Sequence, residues 1–151
     1  RIVWALEVFD QDMVGDATHG QKMADLVFES GVRVLTKDFN ANTVTFYLKG
    51  NKRRINWLMD RLQQVYADAD IRVEKLAMVS AIGSDMKVPG LLQSAAGALS
   101  DAGVNIHSVH QAMRQVDMMF LVSDADYATA VKALHSRLVE QADIWQQQQT
   151  A

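Results

Sequence analysis

The sequence predicts an α+β fold: two similar βαββαβ units in tandem, the second lacking its own fourth strand. Three observations carry this reading. The stretch 81–122 reads as strand, Gly/Pro loop, small-residue helix, Gly stop, strand and strand again. Apolar residues alternate with period two in some segments and recur at helical spacing in the segments between them. The chain also repeats itself: Asp12-Met13 returns as Asp85-Met86, Gly31-Val32 as Gly103-Val104, and Leu58 and Leu62 as Leu134 and Leu138. Self-similarity at one period implies two copies of a single supersecondary unit, here of ferredoxin-like type. Each copy would be marginal alone, so a shared interface is expected.

Residues 2–9 form the first strand, with Ile2, Trp4, Leu6 and Val8 on one face and Val3, Ala5, Glu7 and Phe9 on the other. Both faces are largely apolar, which suits a central strand. Residues 10–20, DQDMVGDATHG, read as a polar loop. The helix after it carries Met23, Leu26 and Val27 on one stripe and stops at Ser30-Gly31. Residues 32–37 form a strand and 38–42 carry turn chemistry. Residues 43–48 alternate, with Val44, Phe46 and Leu48 inward and Thr43, Thr45 and Tyr47 outward. Asn51 is placed to cap the next helix, which shows Ile55, Leu58, Met59, Leu62 and Tyr66 on one face. Residues 71–75 are a short fourth strand.

The second cycle opens with a strand at 76–82 that stops at Gly83. Pro89 suits the first turn of a helix, where a missing N–H costs nothing. Leu91, Leu92, Ala95, Ala96, Leu99 and Ala102 recur at helical spacing, and Gly103 suits a left-handed cap. Val104, Ile106 and Ser108 then alternate with Asn105, His107 and Val109 as a strand, and MMFLV at 118–122 is the next. The last helix carries Tyr127, Ala130, Val131, Leu134 and Leu138 behind a cap at Asp126 or Asp124. After it, the segment VEQADIWQQQQTA makes a poor strand. The expected boundaries are 1–75, 76–140 and a Gln-rich tail at 141–151, expected to be frayed.

Hydrophobic residues make up 49% of the 151, enough for a substantial core, and the net charge is −3. An acidic balance draws the chain neither to nucleic acid nor to anionic lipid. There is no cysteine, so no disulfide frame and no thiolate metal site, in keeping with a cytoplasmic protein. No apolar run approaches the roughly 18 residues of a membrane span, and no signal peptide is visible. The chain opens on Arg1 directly in an apolar strand and reads as a fragment of something longer.

The run VPGLLQSAAGALSDAGVNIHSVHQ resembles the signature half of an ACT domain, a small-molecule-sensing module. With VSAIGSDM before it and MMFLV and ALHSRLVE after it, the chain looks most like the tandem ACT region at the C-terminus of aspartate kinases. The likeness is good over 76–140 and looser but continuous over 1–75. It implies a regulatory region that binds lysine, threonine or another pathway amino acid and pairs as a homodimer. It implies no catalysis here: ATP and Mg would belong to an N-terminal kinase domain of the same polypeptide. It also implies that the missing strand comes from residues just upstream of the first unit.

In such units the loop after the first strand meets the start of the second. Helix N-terminal N–H groups can hold a carboxylate there. In the first copy this nominates Met13, Val14, Gly15 and Asp16, facing Leu35, Thr36, Lys37 and Asp38. In the second it nominates Ser84, Asp85, Met86, Val88, Pro89, Gly90 and Leu91, facing Asn105, Ile106 and His107. On the residues alone, these could be tight connections and nothing more. Lysine-sensitive aspartate kinases carry an acid within the second strand of the first unit; here that strand offers Leu35 between Arg33 and Lys37.

Other chemistry is weak. His107-x-x-His110 on a strand points to opposite faces and makes a poor metal pair. No nucleophile motif or phosphate loop appears. The methionines read as core filler, and Arg53-Arg54 as a solvated pair. Two alternatives stand beside the sensing module. One is a structural dimerisation module without ligand sensing. The other is an RNA binder, disfavoured by the acidic balance and the absence of a basic-aromatic strand pattern.

Overall fold

The computed structural model describes residues 2–13, 17–83 and 86–140. The expectations for Val14, Gly15, Asp16, Ser84, Asp85 and the tail at 141–151 lie outside them. The elements are β1 (Ile2–Phe9), a 3-10 turn (Gln11–Met13), α1 (Ala17–Glu29), β2 (Arg33–Phe39), β3 (Thr43–Lys49) and α2 (Lys52–Val65). Then come β4 (Asp70–Ile82), α3 (Leu91–Asp101), β5 (Ser108–Gln111), β6 (Asp117–Ser123), α4 (Tyr127–His135) and a π turn (Ser136–Glu140). The chain divides into two compact units, Ile2–Lys75 and a second that begins at Leu76.

In the first unit the strand order is β2-β3-β1-β4. β1 pairs antiparallel with β3 from Trp4↔Leu48 to Phe9↔Thr43. β2 pairs antiparallel with β3, with an irregularity between Val34 and Thr36. Leu6, Val8, Val44, Phe46 and Leu48 from the sheet meet Met23, Leu26 and Val27 of α1 and Ile55, Leu58 and Leu62 of α2. Burying each of these large side chains contributes about 1.5–3 kcal/mol. The Asn51 side chain caps α2, accepting the Arg54 N–H at 2.9 Å. Gly31, at φ 67°, ends α1. Its N–H donates to the Phe28 carbonyl at 3.1 Å. The Ser30 hydroxyl donates to the Val27 carbonyl at 2.6 Å and accepts the Val32 N–H at 3.4 Å.

In the second unit residues 76–82 of β4 pair antiparallel with β6, from Leu76↔Ser123 to Ile82↔Asp117. β6 pairs in turn with β5, from Ser108↔Leu121 to Gln111↔Met118. Ala77, Val79, Met118, Phe120 and Val122 of the sheet meet Ala95 and Leu99 of α3 and Ala130 and Leu134 of α4. Helix α3 closes in a Schellman motif. The Val104 N–H donates to the Leu99 carbonyl and the Gly103 N–H to the Ser100 carbonyl, both at 2.9 Å, with Gly103 at φ 73°. Arg137 donates to Asp101 at 2.9 Å and ties the π turn to α3. Among the described residues no strand follows α4.

Several expectations are corrected. Helix α1 begins at Ala17, so Gly20 lies inside it and not in the loop. The ~1 kcal/mol a helical glycine costs is outweighed by the buried stripe beyond it. β2 extends through Asp38 and Phe39, because they pair with Thr45 and Val44. Tyr47, expected outward, is buried, and its hydroxyl donates to Asp38 Oδ2 at 3.0 Å. Residues 71–75 and 76–82 are one strand, with no break between the two cycles. Pro89 precedes α3 and does not start it, since Gly90 takes a left-handed turn before the first helical residue. The strand expected from Val104 begins at Ser108, although Val104 and Ile106 keep the expected inward alternation. Asp126 occupies the N-cap position of α4 but makes no cap bond; its carboxylate accepts from Ser123 Oγ at 2.8 Å. Arg54 is not merely solvated: it donates to the Gly31 carbonyl at 2.8 Å.

Two glycines of α3 and its cap should behave oppositely. A Cβ at Gly97 would meet only the Arg137 guanidinium at 3.8 Å, so Gly97→Ala should stabilise by about 0.5–1 kcal/mol. Nothing lies within 4 Å of a Cβ at Gly103, yet Gly103→Ala should cost roughly 1–2 kcal/mol through its left-handed backbone alone. Thermal melting checks both, at about 2–4 °C per kcal/mol for a chain of this size.

Candidate functional site

In both units the loop after the first strand leaves at the same point of the fold. In the first unit the Asp10 N–H donates to the Asn42 carbonyl at 2.9 Å, one step beyond the Phe9↔Thr43 pair. In the second the Gly83 N–H donates to the Val116 carbonyl at 2.9 Å, one step beyond Ile82↔Asp117. Each loop then drops a methionine into its unit's core: Met13 is 3% exposed and Met86 6%. The recurrence of Asp-Met in the sequence marks this shared anchor.

The loop of the second unit ends in a turn. The Leu91 N–H donates to the Val88 carbonyl at 3.2 Å, and Gly90 has φ 85° and ψ −6°. Pro in the second place and a left-handed Gly in the third is a type II turn. The Gly90 carbonyl then accepts the Ser94 N–H at 2.9 Å, so the turn feeds directly into α3. Val88, Pro89 and Gly90 are exposed. Met86 belongs to the same core as Val104, against which Leu91 and Ile106 pack. Asn105 and His107 are exposed. Of the residues nominated in this unit, Met86, Leu91 and Ile106 thus share one core.

The first unit brings fewer of its nominated residues together. Met13 is in the core. Thr36 lines a cleft of about 600 Å³ between α1 and β2, with Val27, Phe28, Val34, Lys37 and Phe46. Asp38 does not line it; its carboxylate accepts from Tyr47. At the mouth of the first loop lies a cluster the sequence did not signal. Asp10 is 8% exposed and accepts the Asp12 N–H at 2.9 Å. Its other oxygen lies 3.9 Å from His19 Nε2. The His19 ring lies 5.4 Å from that of Tyr66, whose hydroxyl donates to the His19 carbonyl at 3.2 Å.

A second cavity, of about 530 Å³, lies in the second unit between β4 and α4. Met78–Gly83 form one wall, and Tyr127, Val131, Leu134 and His135 the other. His110, considered for a metal pair, instead meets Ser108 Oγ through Nε2 at 2.9 Å. Among the described residues no cluster of three metal-ligating side chains exists, and no helix is long and apolar enough to cross a membrane. The Arg72 guanidinium is held above its ordinary range, first by its hydrogen bond to Asp70 and then by that carboxylate's charge. That pair stands in solvent near the start of β4 and belongs to neither loop.

Comparison with known proteins fits this geometry. Residues 79–138 match the ACT domain family. Over 138 residues the chain is 41% identical to the aspartate kinase Ask_Ect of Stutzerimonas stutzeri (strain A1501), covering 91% of this chain and 29% of that protein. In sequence the chain is thus similar to one part of an aspartate kinase, spanning less than a third of its length. Its fold is that of the regulatory subunit of aspartate kinase from Thermus flavus, with a TM-score of 0.77 at 15% identity, covering 91% of this chain and 95% of that one. It is also shared with E. coli aspartokinase III in complex with lysine and aspartate, with a TM-score of 0.74 at 21% identity, covering 92% of this chain and 32% of that one. At these identities the two structures speak for the fold alone.

The ACT-domain match includes the type II turn before α3. A Cβ added at Gly90 would have nothing within 4 Å, so the requirement for glycine is purely conformational. Gly90→Ala should cost roughly 1 kcal/mol, and Gly90→Asn distinctly less, because Asn tolerates the left-handed region. Thermal melting of the two variants side by side checks this; equal losses would mean that the left-handed backbone is not what the turn requires of residue 90.

Proposed function

We propose that this chain is the regulatory region of an aspartate kinase, built as two ACT units in tandem and binding an amino-acid effector through the loops after β1 and β4. The single observation that carries the reading is 41% identity to an aspartate kinase across 91% of the chain. The repeated loop anchor, seen at both Met13 and Met86, supports a second unit of the same kind. The effector's carboxylate would meet N–H groups at the turn before α3, and its ammonium the carbonyls around 105–107. Binding would bias an attached kinase by its different affinity for two states. ATP and Mg would serve that kinase domain and not this region.

A second reading, a dimerisation module without sensing, is favoured by a different observation. Phe28, Val34 and Phe39 on α1 and the outer strand β2 are 86%, 42% and 64% exposed. Such a patch suits a second copy of the chain, and the two readings are compatible until ligand is tested. Melting curves with lysine, threonine and methionine separate them. The sensing reading expects one of these to stabilise by about 2.7 kcal/mol at a hundredfold excess over Kd. Lysine should bind the first unit no tighter than about 100 μM, because Arg33 and Lys37 flank Leu35 within β2 and Asp38 is engaged by Tyr47. Stabilisation by none of the three, with a dimer in sedimentation, would leave the dimerisation module.

The cavity beside β4 also supports a proposal: a strand laid along 78–83 under α4 completes the second unit as a βαββαβ fold. The proposed source is the polypeptide upstream of the first unit. A chain carrying some 15 further upstream residues should melt several degrees higher, since about 1 kcal/mol moves a domain of this size by a few degrees. An unchanged melting temperature would count against the upstream source.

A further inference from the structure

The two loop anchors differ in one respect. In both units the residue after the first strand bonds to the hairpin tip, Asp10 to Asn42 and Gly83 to Val116. In the second unit the tip reaches further: the Met86 N–H donates to the Gln115 carbonyl at 3.1 Å. In the first unit the corresponding Met13 N–H donates back within its own loop, to the Asp10 carbonyl at 3.2 Å.

The residue that supplies the extra bond has an uncommon backbone. Gln115 has φ 50°, and among the described residues it is the non-glycine residue with positive φ. An L-residue there crowds its Cβ against the carbonyl, a strain that persists only where its surroundings hold it. On one side the Gln115 N–H donates to the Ala112 carbonyl at 2.9 Å, closing the β5–β6 tip. On the other, its carbonyl takes the Met86 N–H. Turning Gln115 into an ordinary extended or helical backbone would rotate that carbonyl away. Met86 cannot follow freely, because its side chain is buried in the core. A Cβ on Gly83 would lie 3.0 Å from Met86 Cγ, so the loop is packed close there as well.

We infer that Gln115 is a positioning residue for the loop leading into the Val88–Leu91 turn, acting through its left-handed backbone and not through its amide side chain. Its carbonyl fixes the Met86 N–H, and thereby the entry to the turn. The functional part rests on the reading of this loop as an effector site.

The test compares Gln115→Val, whose branched Cβ resists the left-handed region, with Gln115→Gly, which adopts it readily. Amide hydrogen exchange is read by NMR on the whole chain, with Val79 and Phe120 as core references. Gln115→Val should speed exchange at Met86 and Gly83 by about tenfold or more while the core references hold. Gln115→Gly should match the native chain. Lysine and threonine are then titrated by calorimetry, and whichever binds the second unit should bind about tenfold more weakly to Gln115→Val and normally to Gln115→Gly. Unchanged exchange at Met86, or equal acceleration throughout the second unit, overturns the inference. So does selective acceleration with unchanged affinity for an amino acid that does bind there. If neither amino acid binds the native chain, the exchange pattern alone decides whether Gln115 positions the loop.

Discussion

Each unit hangs on the register between its first and third strands. The β1–β3 and β4–β6 ladders place Leu6 and Val8, and Ala77 and Val79, toward the helices. Because side chains alternate with period two, a slip of one residue would turn every one of them to solvent. That cost makes the register firm, and with it the last pair of each ladder. The loop departs one residue later, with its first N–H bonded to the hairpin tip. The position of each candidate effector loop is therefore a consequence of core burial, before any ligand is considered.

The return of the chain from helix to sheet is a second shared constraint, solved in two ways. After α3, Gly103 closes a Schellman motif with backbone groups alone. After α1, Gly31 makes one such bond, and the Ser30 hydroxyl serves the remaining donor and acceptor. Arg54 then reaches from α2 to the Gly31 carbonyl. A buried backbone group left unpaired costs more than a typical hydrogen bond contributes, which explains why a serine takes over where the backbone geometry falls short.

The units diverge where function would be exposed. Both cores draw on valine, leucine and methionine side chains, with more alanine in the second. Their loop mouths do not match: the first has a buried carboxylate beside a histidine whose ring lies tilted against a tyrosine, the second a proline–glycine turn braced by a left-handed glutamine. Under the proposed sensing role, such divergence suits two sites that do not share one ligand.

Much of this was open to reading in the sequence, for identifiable reasons. Helical and strand periods are set by backbone geometry, so the stripes of α2 and α3 and the alternation of β3 were visible. Gly31 and Gly103 were legible because few residues take φ near 70°, and Asn51 because its side chain caps locally. The Asp-Met recurrence disclosed a repeat whose meaning, a core anchor for each loop, emerged only with the fold. What the sequence could not convey depends on residues far apart in the chain. Strand ends at Phe39 and Ser108 are set by the partner available across the ladder. The Tyr47 hydroxyl meets an aspartate nine residues earlier, brought within reach diagonally by the β2–β3 pairing. Gln115 belongs to the same class: nothing in its side chain announces a left-handed backbone, and only the closed hairpin with a loop waiting on its carbonyl selects that conformation.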